Sequence, residues 1–366
     1  MRTALKVIGA IAALVVLYVA ITLARGTYAD WHPEGIRPAT TYDLRPSADT
    51  IRDSVLNFVT WNIGYGGLGA DADFFLDAGH FYVSGGAMVH SPEDDVERYN
   101  RGIQQQLASL RTEFVLLQEV DSASARSYHR PQFDQLRQVR AESFAAFAPN
   151  YISERVPVPV FEPWAVYGDV HSGLATFSAY QPAGEVERHA LPGSFPWPDR
   201  IFQLDRCLLV QRHPLADGRS LTVVNLHLSA YDDGSVKRDQ LAYLAEFLLA
   251  ERARGHLVVV GGDWNLVPPN FPYDRFIGDP DGRYTQQAVP DDFPEPGWTF
   301  IYDARTPTNR KIDLPYVRDS SFVTIIDYFL ISPGLSAAQA RGIRQDFQFS
   351  DHQPVWMAVR VDDAGE

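Results

Sequence analysis

The run Leu257-Val258-Val259-Val260 carries no polar side chain and is followed at once by Gly261, Gly262, Asp263, Trp264 and Asn265. Four apolar residues closed off by glycine read as a buried strand. A strand that ends in Gly-Asp-x-Asn lifts a carboxylate and an amide off the sheet edge into solvent. Asp263 and Asn265 are two residues apart, so on an extended chain they project from one face. A carboxylate there takes a proton from water, while the amide holds the water or an anionic oxygen. Asp and Asn after a strand are also ordinary turn formers, so the pattern gains meaning only from its companions.

From Val55 onward such runs alternate with helix-like stretches. The spacing predicts strands at Leu56–Trp61, Phe114–Gln118, Ser172–Ser178, Cys207–Arg212, Leu221–Leu228, Leu257–Gly262, Ile325–Ile331 and Val355–Val361. Helices are predicted at Val96–Leu110, Gln132–Phe147 and Val236–Ala253; in the last, Leu241, Leu244, Phe247 and Leu248 define one apolar face. The segments Gly66–Asp95, Gln181–Arg200 and Pro268–Ser321 are too long for simple turns and are candidate binding loops.

The N-terminus has a different character. No residue from Val7 to Ala24 is charged, a length that crosses a bilayer as a helix, and Arg2 and Lys6 before it favour a cytoplasmic amino end. The reading is an anchor over residues 1–25, a Pro-, Thr- and Asp-rich tether over 26–53, and a folded domain over 54–366 outside the cytoplasm. The alternative is a secreted protein whose signal peptide is cut near Thr27-Tyr28-Ala29; the apolar stretch is longer than the usual signal core.

Hydrophobic residues at 45% and charged ones at 21% exclude global disorder. A net charge of -14 argues against a protein that coats nucleic acid, since phosphate contacts need a basic face. It leaves open a metal-dependent nuclease, whose site is itself acidic. The single cysteine, Cys207, excludes an intrachain disulfide and lies in an apolar run, where it reads as a buried structural thiol.

Further polar residues stand at strand ends. Asn62 follows Thr60-Trp61, and Gln118-Glu119 follows Phe114–Leu117. Asn225 and His227 share one face at the end of Leu221–Val224. Glu119 is either a surface charge or a cation ligand, because an acid emerging from an apolar strand is costly without a partner. Asp327 interrupts an apolar strand, and His352 in Ser350-Asp351-His352 is its expected partner, held in one tautomer and made more basic. Asp351 is then left to face a cation or water.

Taken in order, Thr60-Trp61-Asn62, Gln118-Glu119, Asn225-Leu226-His227, Gly262-Asp263-Trp264-Asn265, Asp327-Tyr328 and Ser350-Asp351-His352 resemble the endonuclease/exonuclease/phosphatase superfamily. The resemblance covers roughly Val55 to Arg360. It implies a four-layer α/β/β/α sandwich, two mixed sheets face to face with helices outside. It implies that Glu119, with Asn62 and Asp351 nearby, binds Mg²⁺ or Mn²⁺. Asp263 would be the general base and Asn265 would orient water or a phosphate oxygen. His227 and the Asp327-held His352 would stabilise the transition state.

Departures from the family pattern narrow the substrate. Gly64 stands where apurinic endonucleases carry an acid, and His227 points to the deoxyribonuclease, phosphatase and sphingomyelinase branches. The acid supporting that histidine has only loose candidates here, Asp169 and His171. The insert around Asp71–Gly86 reads as a surface loop or lid. In Thr306–Lys311, Arg310 and Lys311 are either a solvated turn or a phosphate-reading loop, with Asn225 and Arg310 as expected substrate contacts; Arg206 is a further candidate. The expected function is a membrane-anchored Mg²⁺-dependent hydrolase of a lipid or small-molecule phosphoester. The alternatives are an extracytoplasmic nuclease, for which nucleic acid is the less favoured partner, and a catalytically dead binding scaffold.

Overall fold

The computed structural model describes residues 2–43, 48–193, 195–230, 234–276, 278–279 and 286–362. Among the described residues four α-helices, α1 (Arg2–Tyr28), α2 (Glu93–Ser109), α3 (Gln132–Val139) and α4 (Ser235–Ala253), accompany sixteen strands. The first eight are β1 (Ile36–Pro38), β2 (Thr40–Asp43), β3 (Val55–Asn62), β4 (Phe114–Asp121), β5 (Phe144–Val156), β6 (Gly168–Ser178), β7 (Glu187–Ala190) and β8 (Cys207–Pro214). The rest are β9 (Ser220–His227), β10 (Leu257–Asp263), β11 (Thr299–Ile301), β12 (Asn309–Arg310), β13 (Val323–Thr324), β14 (Asp327–Ile331), β15 (Leu335–Gly342) and β16 (Val355–Val361).

The strands form two seven-stranded mixed sheets, ordered β1-β7-β8-β9-β10-β14-β11 and β15-β16-β3-β4-β6-β5-β2, plus the ribbon β12-β13. The period-two rule explains the layering. Along β10, Val258 and Val260 pack with Leu244 and Leu248 of α4. Their neighbour Val259 turns to the opposite sheet and meets Phe58, Leu116 and Phe329. Along β4, Val115 and Leu117 lie under Ile103 and Leu107 of α2 and Phe133 and Leu136 of α3, while Phe114 and Leu116 face between the sheets. The result is an α/β sandwich. Strands buried on both faces must be apolar throughout, and each fully buried Val, Leu or Phe contributes about 1.5–3 kcal/mol.

All eight predicted strands form, six of them within two residues of the expected span; β4 runs three residues further, to Asp121, and β6 begins four residues earlier, at Gly168. The helix predicted over Gln132–Phe147 is half wrong. It stops at Val139, and Phe144 begins the longest strand of the protein. Phe144-Ala145-Ala146-Phe147-Ala148 suits a helix by propensity, yet pairing with β6 on one side and β2 on the other overrides it. The tether is also corrected. Ile36–Pro38 pairs with β7 and Thr40–Asp43 with β5, so this segment closes an edge of each sheet. Ile51, bridged to Leu215, is fully buried.

Helix α1 buries none of its residues and is long and apolar enough to cross a membrane, a test that a signal sequence also passes. The insert after Asn62 is packed down: Leu68, Phe75, Tyr151, Tyr167 and Ile312 share a satellite core. The other long segments contain short strands, β7 in one and β11 and β12 in the other.

Candidate active site

Both sheets send strand ends to one edge of the sandwich. Strands β3 and β4 run parallel and bring Asn62 and Glu119 there. Strands β9 and β10, also parallel, place His227 and Asp263 in register opposite each other, and antiparallel β14 sets Asp327 beside Asp263. Asp351 and His352 precede β16.

Local backbone irregularities aim these groups. The register between β4 and β6 slips after Leu117, and Glu119 sits in that bulge at φ +53°. A bulge re-aims a side chain, and here it leaves Glu119 partly exposed while its neighbours are buried. Gly262 has φ +155°, and a Cβ there would stand 2.0 Å from the Leu226 carbonyl oxygen. Only glycine lets β10 approach β9 closely enough to set Asp263 beside His227. At Gly64, φ +50°, a Cβ would meet the Asp351 carboxylate at 2.7 Å. Glycine rather than an acid at this position leaves room for Asp351.

Asp263 is the hub. Its Oδ1 accepts from the Asn265 backbone N–H at 2.9 Å. Its Oδ2 accepts from Asn62 Nδ2 at 3.0 Å and lies 3.4 Å from His227 Nε2 and 3.7 Å from His352 Nε2. The same Asn62 Nδ2 donates to Glu119 Oε1 at 3.1 Å, and His227 Nε2 is 4.0 Å from that oxygen. The Asn265 side chain donates to the Leu228 carbonyl at 2.9 Å, so its backbone rather than its amide serves the hub.

The two histidines are set in opposite states. His352 Nδ1 bonds Asp327 Oδ2 at 2.8 Å, with both groups buried. Burial disfavours the His352 cation, but Asp327, Asp351 and Asp263 outweigh it and raise its pKa well above the ordinary value. Burial pushes Asp327 up to about 6, partly offset by the imidazolium. At neutral pH the pair is therefore imidazolium and carboxylate. His227 is held well below the ordinary imidazole value, first by burial and then by the Arg206 charge, so it is neutral. Its Nδ1 has no hydrogen-bond partner among the described residues. Asp169 pairs with exposed His129, and His171 Nδ1 pairs with Ser122 Oγ, so neither loose candidate supports it.

Two expected substrate contacts are corrected. Asn225 shares the His227 face but lies one step deeper, fully buried between the sheets. Its Nδ2 donates to the Leu117 and Ala175 carbonyls and to Thr176 Oγ1, and its Oδ1 accepts from Gln118. Arg310 is 1% exposed, and its guanidinium donates to the carbonyls of Gly69, Ala72, Lys311 and Leu314. It holds the insert against the domain. Lys311 is tied to Asp279 and Asp313. The residue of that segment that reaches the site is Asn309, whose Nδ2 lies 3.0 Å from His352 Nε2. Thr308 Oγ1 beside it accepts from the Ile326 and Asp327 backbone N–H groups. Nothing in the composition of the segment distinguished Asn309; the cations drew the eye.

Two donor sets could hold a metal. Asp263, Asp327 and His352 bring three ligand atoms within 4.8 Å of one another. The other set is oxygen only: Glu119 and Asp351, whose charges act on each other, with the Asn62 side-chain oxygen, which also accepts from the Gly64 N–H at 3.0 Å. Burial pushes Asp351 up to about 7; His352 opposes this and the Glu119 charge adds to it. Two crowded carboxyls and an amide oxygen suit a hard divalent cation, which offsets the charge that raises Asp351.

A family model described as the Endonuclease/Exonuclease/phosphatase family matches residues 59–352. Among solved structures, an endonuclease/exonuclease/phosphatase from Beutenbergia cavernae DSM 12333 is similar, with TM-score 0.52, 17% identity, and 85% of this chain and 73% of that one covered. D. rerio TDP2 complexed with single strand DNA product gives 0.50 at 16%, covering 84% and 100%. ANGEL2, a 2',3'-cyclic phosphatase, gives 0.50 at 16%, covering 90% and 100%. At these identities the structures speak for the fold. No curated protein matches the chain. The matched residues take in β4 to β15 and every residue named at the catalytic edge, and the chain belongs to the endonuclease/exonuclease/phosphatase family of phosphoester hydrolases.

Proposed function

We propose that the protein is a Mg²⁺-dependent phosphoester hydrolase, anchored by α1 with its catalytic domain outside the cytoplasm, acting on a lipid or small-molecule phosphoester. One observation carries the catalytic part: Asp263 Oδ2 faces Asn62, His227 and His352 at 3.0–3.7 Å, at the edge where strands of both sheets end. Asp263, fixed through its other oxygen, takes the proton of the attacking water. His352, kept cationic by Asp327, donates to a non-bridging phosphate oxygen as charge builds there. Neutral His227 adds a second Nε2–H donor. Thr308, whose Oγ1 accepts from the Asp327 backbone N–H at 3.1 Å, holds the Asp327 end of the pair in place. The leaving oxygen departs opposite the water and is protonated from solvent. A Mg²⁺ or Mn²⁺ held by Glu119, Asp351 and Asn62 would supply Lewis-acid neutralisation of the phosphate. Asp327 fits poorly as a ligand, because the cationic His352 bonded to it disfavours a second cation there.

Acidity supports a compact phosphoester over DNA; a DNA-processing relative of the same fold keeps nuclease activity as the second reading. The test is turnover of sphingomyelin, inositol phosphates, bis(p-nitrophenyl) phosphate and plasmid DNA by the full chain, with and without Mg²⁺. The expected result is Mg²⁺-dependent hydrolysis with DNA the poorest substrate, and a fall of about 10³-fold or more in Asp263→Asn with an unchanged melting temperature. DNA cleavage matching the other rates would select the nuclease reading. Near-full activity in Asp263→Asn would overturn the base.

A further inference from the structure

Strand β5 overhangs the catalytic edge. In the registers of β4, β6 and β5, Val120, just after Glu119, is level with Gly173 and Pro149. β4 and β5 both run antiparallel to β6, so β5 points the same way as β4. It continues seven residues past Pro149 to Val156, roughly 20 Å beyond the level of Glu119 at about 3.3 Å per residue.

This arm carries two things. Near its tip Glu154 Oε2 pairs with Arg25 Nη2 at 3.3 Å, at the C-terminal end of α1. Trp197 Nε1 donates to Thr27 Oγ1 at 3.0 Å alongside. The next residue, Arg155, donates to the Pro163 carbonyl at 3.2 Å and so holds the loop beyond the tip. The Phe161 N–H donates to the Tyr82 carbonyl at 2.8 Å, joining that loop to the insert, and the Tyr82 and Phe161 rings stack at 5.8 Å.

The joined loops leave large rings uncovered: Trp164 is 81% exposed, Tyr82 61%, Phe161 60% and Phe81 49%. A contiguous apolar patch on an otherwise polar surface marks an interaction site. Its charge is also unusual. Residues 78–92 contain no Asp, Glu, Lys or Arg in a chain of net charge -14, and Glu162 in the neighbouring loop accepts from the Ser84 N–H. Helix α1, 27 residues and about 40 Å long at about 1.5 Å per residue, covers a hydrocarbon core of about 30 Å. Its end therefore delivers this rim to the depth where Trp and Tyr are favoured. With residues 78–92 free of acids and only Glu162 in the neighbouring loop, this rim is repelled by an anionic leaflet far less than the acidic chain as a whole.

We propose that the rim of Phe81, Tyr82, Phe161 and Trp164 seats in the bilayer interface beside α1 and turns the catalytic edge toward the lipid headgroups. The occupant is a lipid surface. The seat rests on the placement of the rim and on α1 as the anchor proposed above; its consequence, access to a lipid phosphoester, rests also on the hydrolase reading.

The test uses the full chain in phosphatidylcholine–sphingomyelin vesicles. Spin labels are placed through Tyr82→Cys or Trp164→Cys in a Cys207→Ser background, with Arg238→Cys on α4 as the aqueous control. Relaxation by lipid-dissolved oxygen is compared with relaxation by a water-soluble nickel complex. Labels at 82 and 164 are expected to favour oxygen about tenfold over the control, as for groups about 5–10 Å into the interface. Labels as wet as the control, or shielded from both reagents as in a contact with a second copy, would overturn the seat. The combined variant Phe81→Ser, Tyr82→Ser and Trp164→Ser is then expected to lose sphingomyelin turnover at least about tenfold while bis(p-nitrophenyl) phosphate turnover is unchanged. Equal loss on both, or no lipid turnover by the unaltered protein, overturns the access. If the unaltered protein hydrolyses neither substrate, the hydrolase reading fails while the labels still decide the seat.

Discussion

Asp327→Asn is the most informative single change at this edge. The carboxylate is fully buried and bonded to His352 Nδ1 at 2.8 Å. At an effective dielectric of about 20, opposite charges at that separation attract by about 6 kcal/mol. That attraction is a principal cause of the raised His352 imidazole, so removing the charge lowers it steeply toward and below its ordinary value. Asparagine keeps the shape and an acceptor oxygen, so the ring stays in place and loses its proton. Imidazolium at neutral pH becomes neutral imidazole, and the charge offered to the phosphate oxygen disappears. The expected result is a fall in kcat of about 10²–10⁴-fold at pH 8, recovered in part at low pH. The alkaline limb of the pH–rate profile moves to lower pH. A profile on bis(p-nitrophenyl) phosphate, with an NMR titration of the His352 ring, reads both quantities. If the limb and the ring titration move by less than about one unit, His352 is not held cationic by Asp327 and its catalytic role falls.

Other outcomes follow from the same geometry. Excess chelator should abolish turnover, and Glu119→Gln should weaken Mg²⁺ binding by at least about tenfold by calorimetry; full activity in chelator removes the metal from the mechanism. Gly262→Ala drives a Cβ to 2.0 Å from the Leu226 carbonyl oxygen, at a cost of roughly 3 kcal/mol; the melting temperature should fall by about 10 °C, and an unchanged value refutes the close approach. The raised His352 contributes stability that is fully present below 6.5 and is lost as pH rises through its folded value. In chelator, the melting temperature should therefore fall as pH rises above 6.5, and less so in Asp327→Asn; parallel curves would contradict the sign.

Much of this was legible because strands buried on both faces cannot carry polar side chains, so Leu257–Val260 and Phe114–Leu117 announce themselves. Polar residues closing such runs, Asp263 and Glu119 among them, had to stand at an edge. Depth along a strand was not legible: Asn225 and His227 share a face, yet only His227 reaches the mouth. Nor was tertiary demand on a charge. Arg310 read as a phosphate contact because guanidinium usually seeks anions, whereas four carbonyls of the insert claim it. Asn309 was invisible because an amide beside two cations carries no pattern of its own. Strand β15, Leu335–Gly342, escaped notice because its exposed Ser, Ala and Gln residues offer no apolar run.

Asn62 donates through one amide nitrogen to Glu119 on its own sheet and to Asp263 on the facing one. That makes it a gauge of how the two halves of the sandwich are slid against each other. Behind it the Phe58 ring, edge-on to Phe329 at 6.2 Å, fixes the slide by packing. A shear of about 1 Å between the sheets would part Asn62 from Asp263 before it exposed any core residue, and misplacement on that scale costs about a hundredfold in rate. Turnover is thus a finer ruler of sheet-to-sheet alignment than any melting curve. Neither half of the chain alone holds a working fraction of the site.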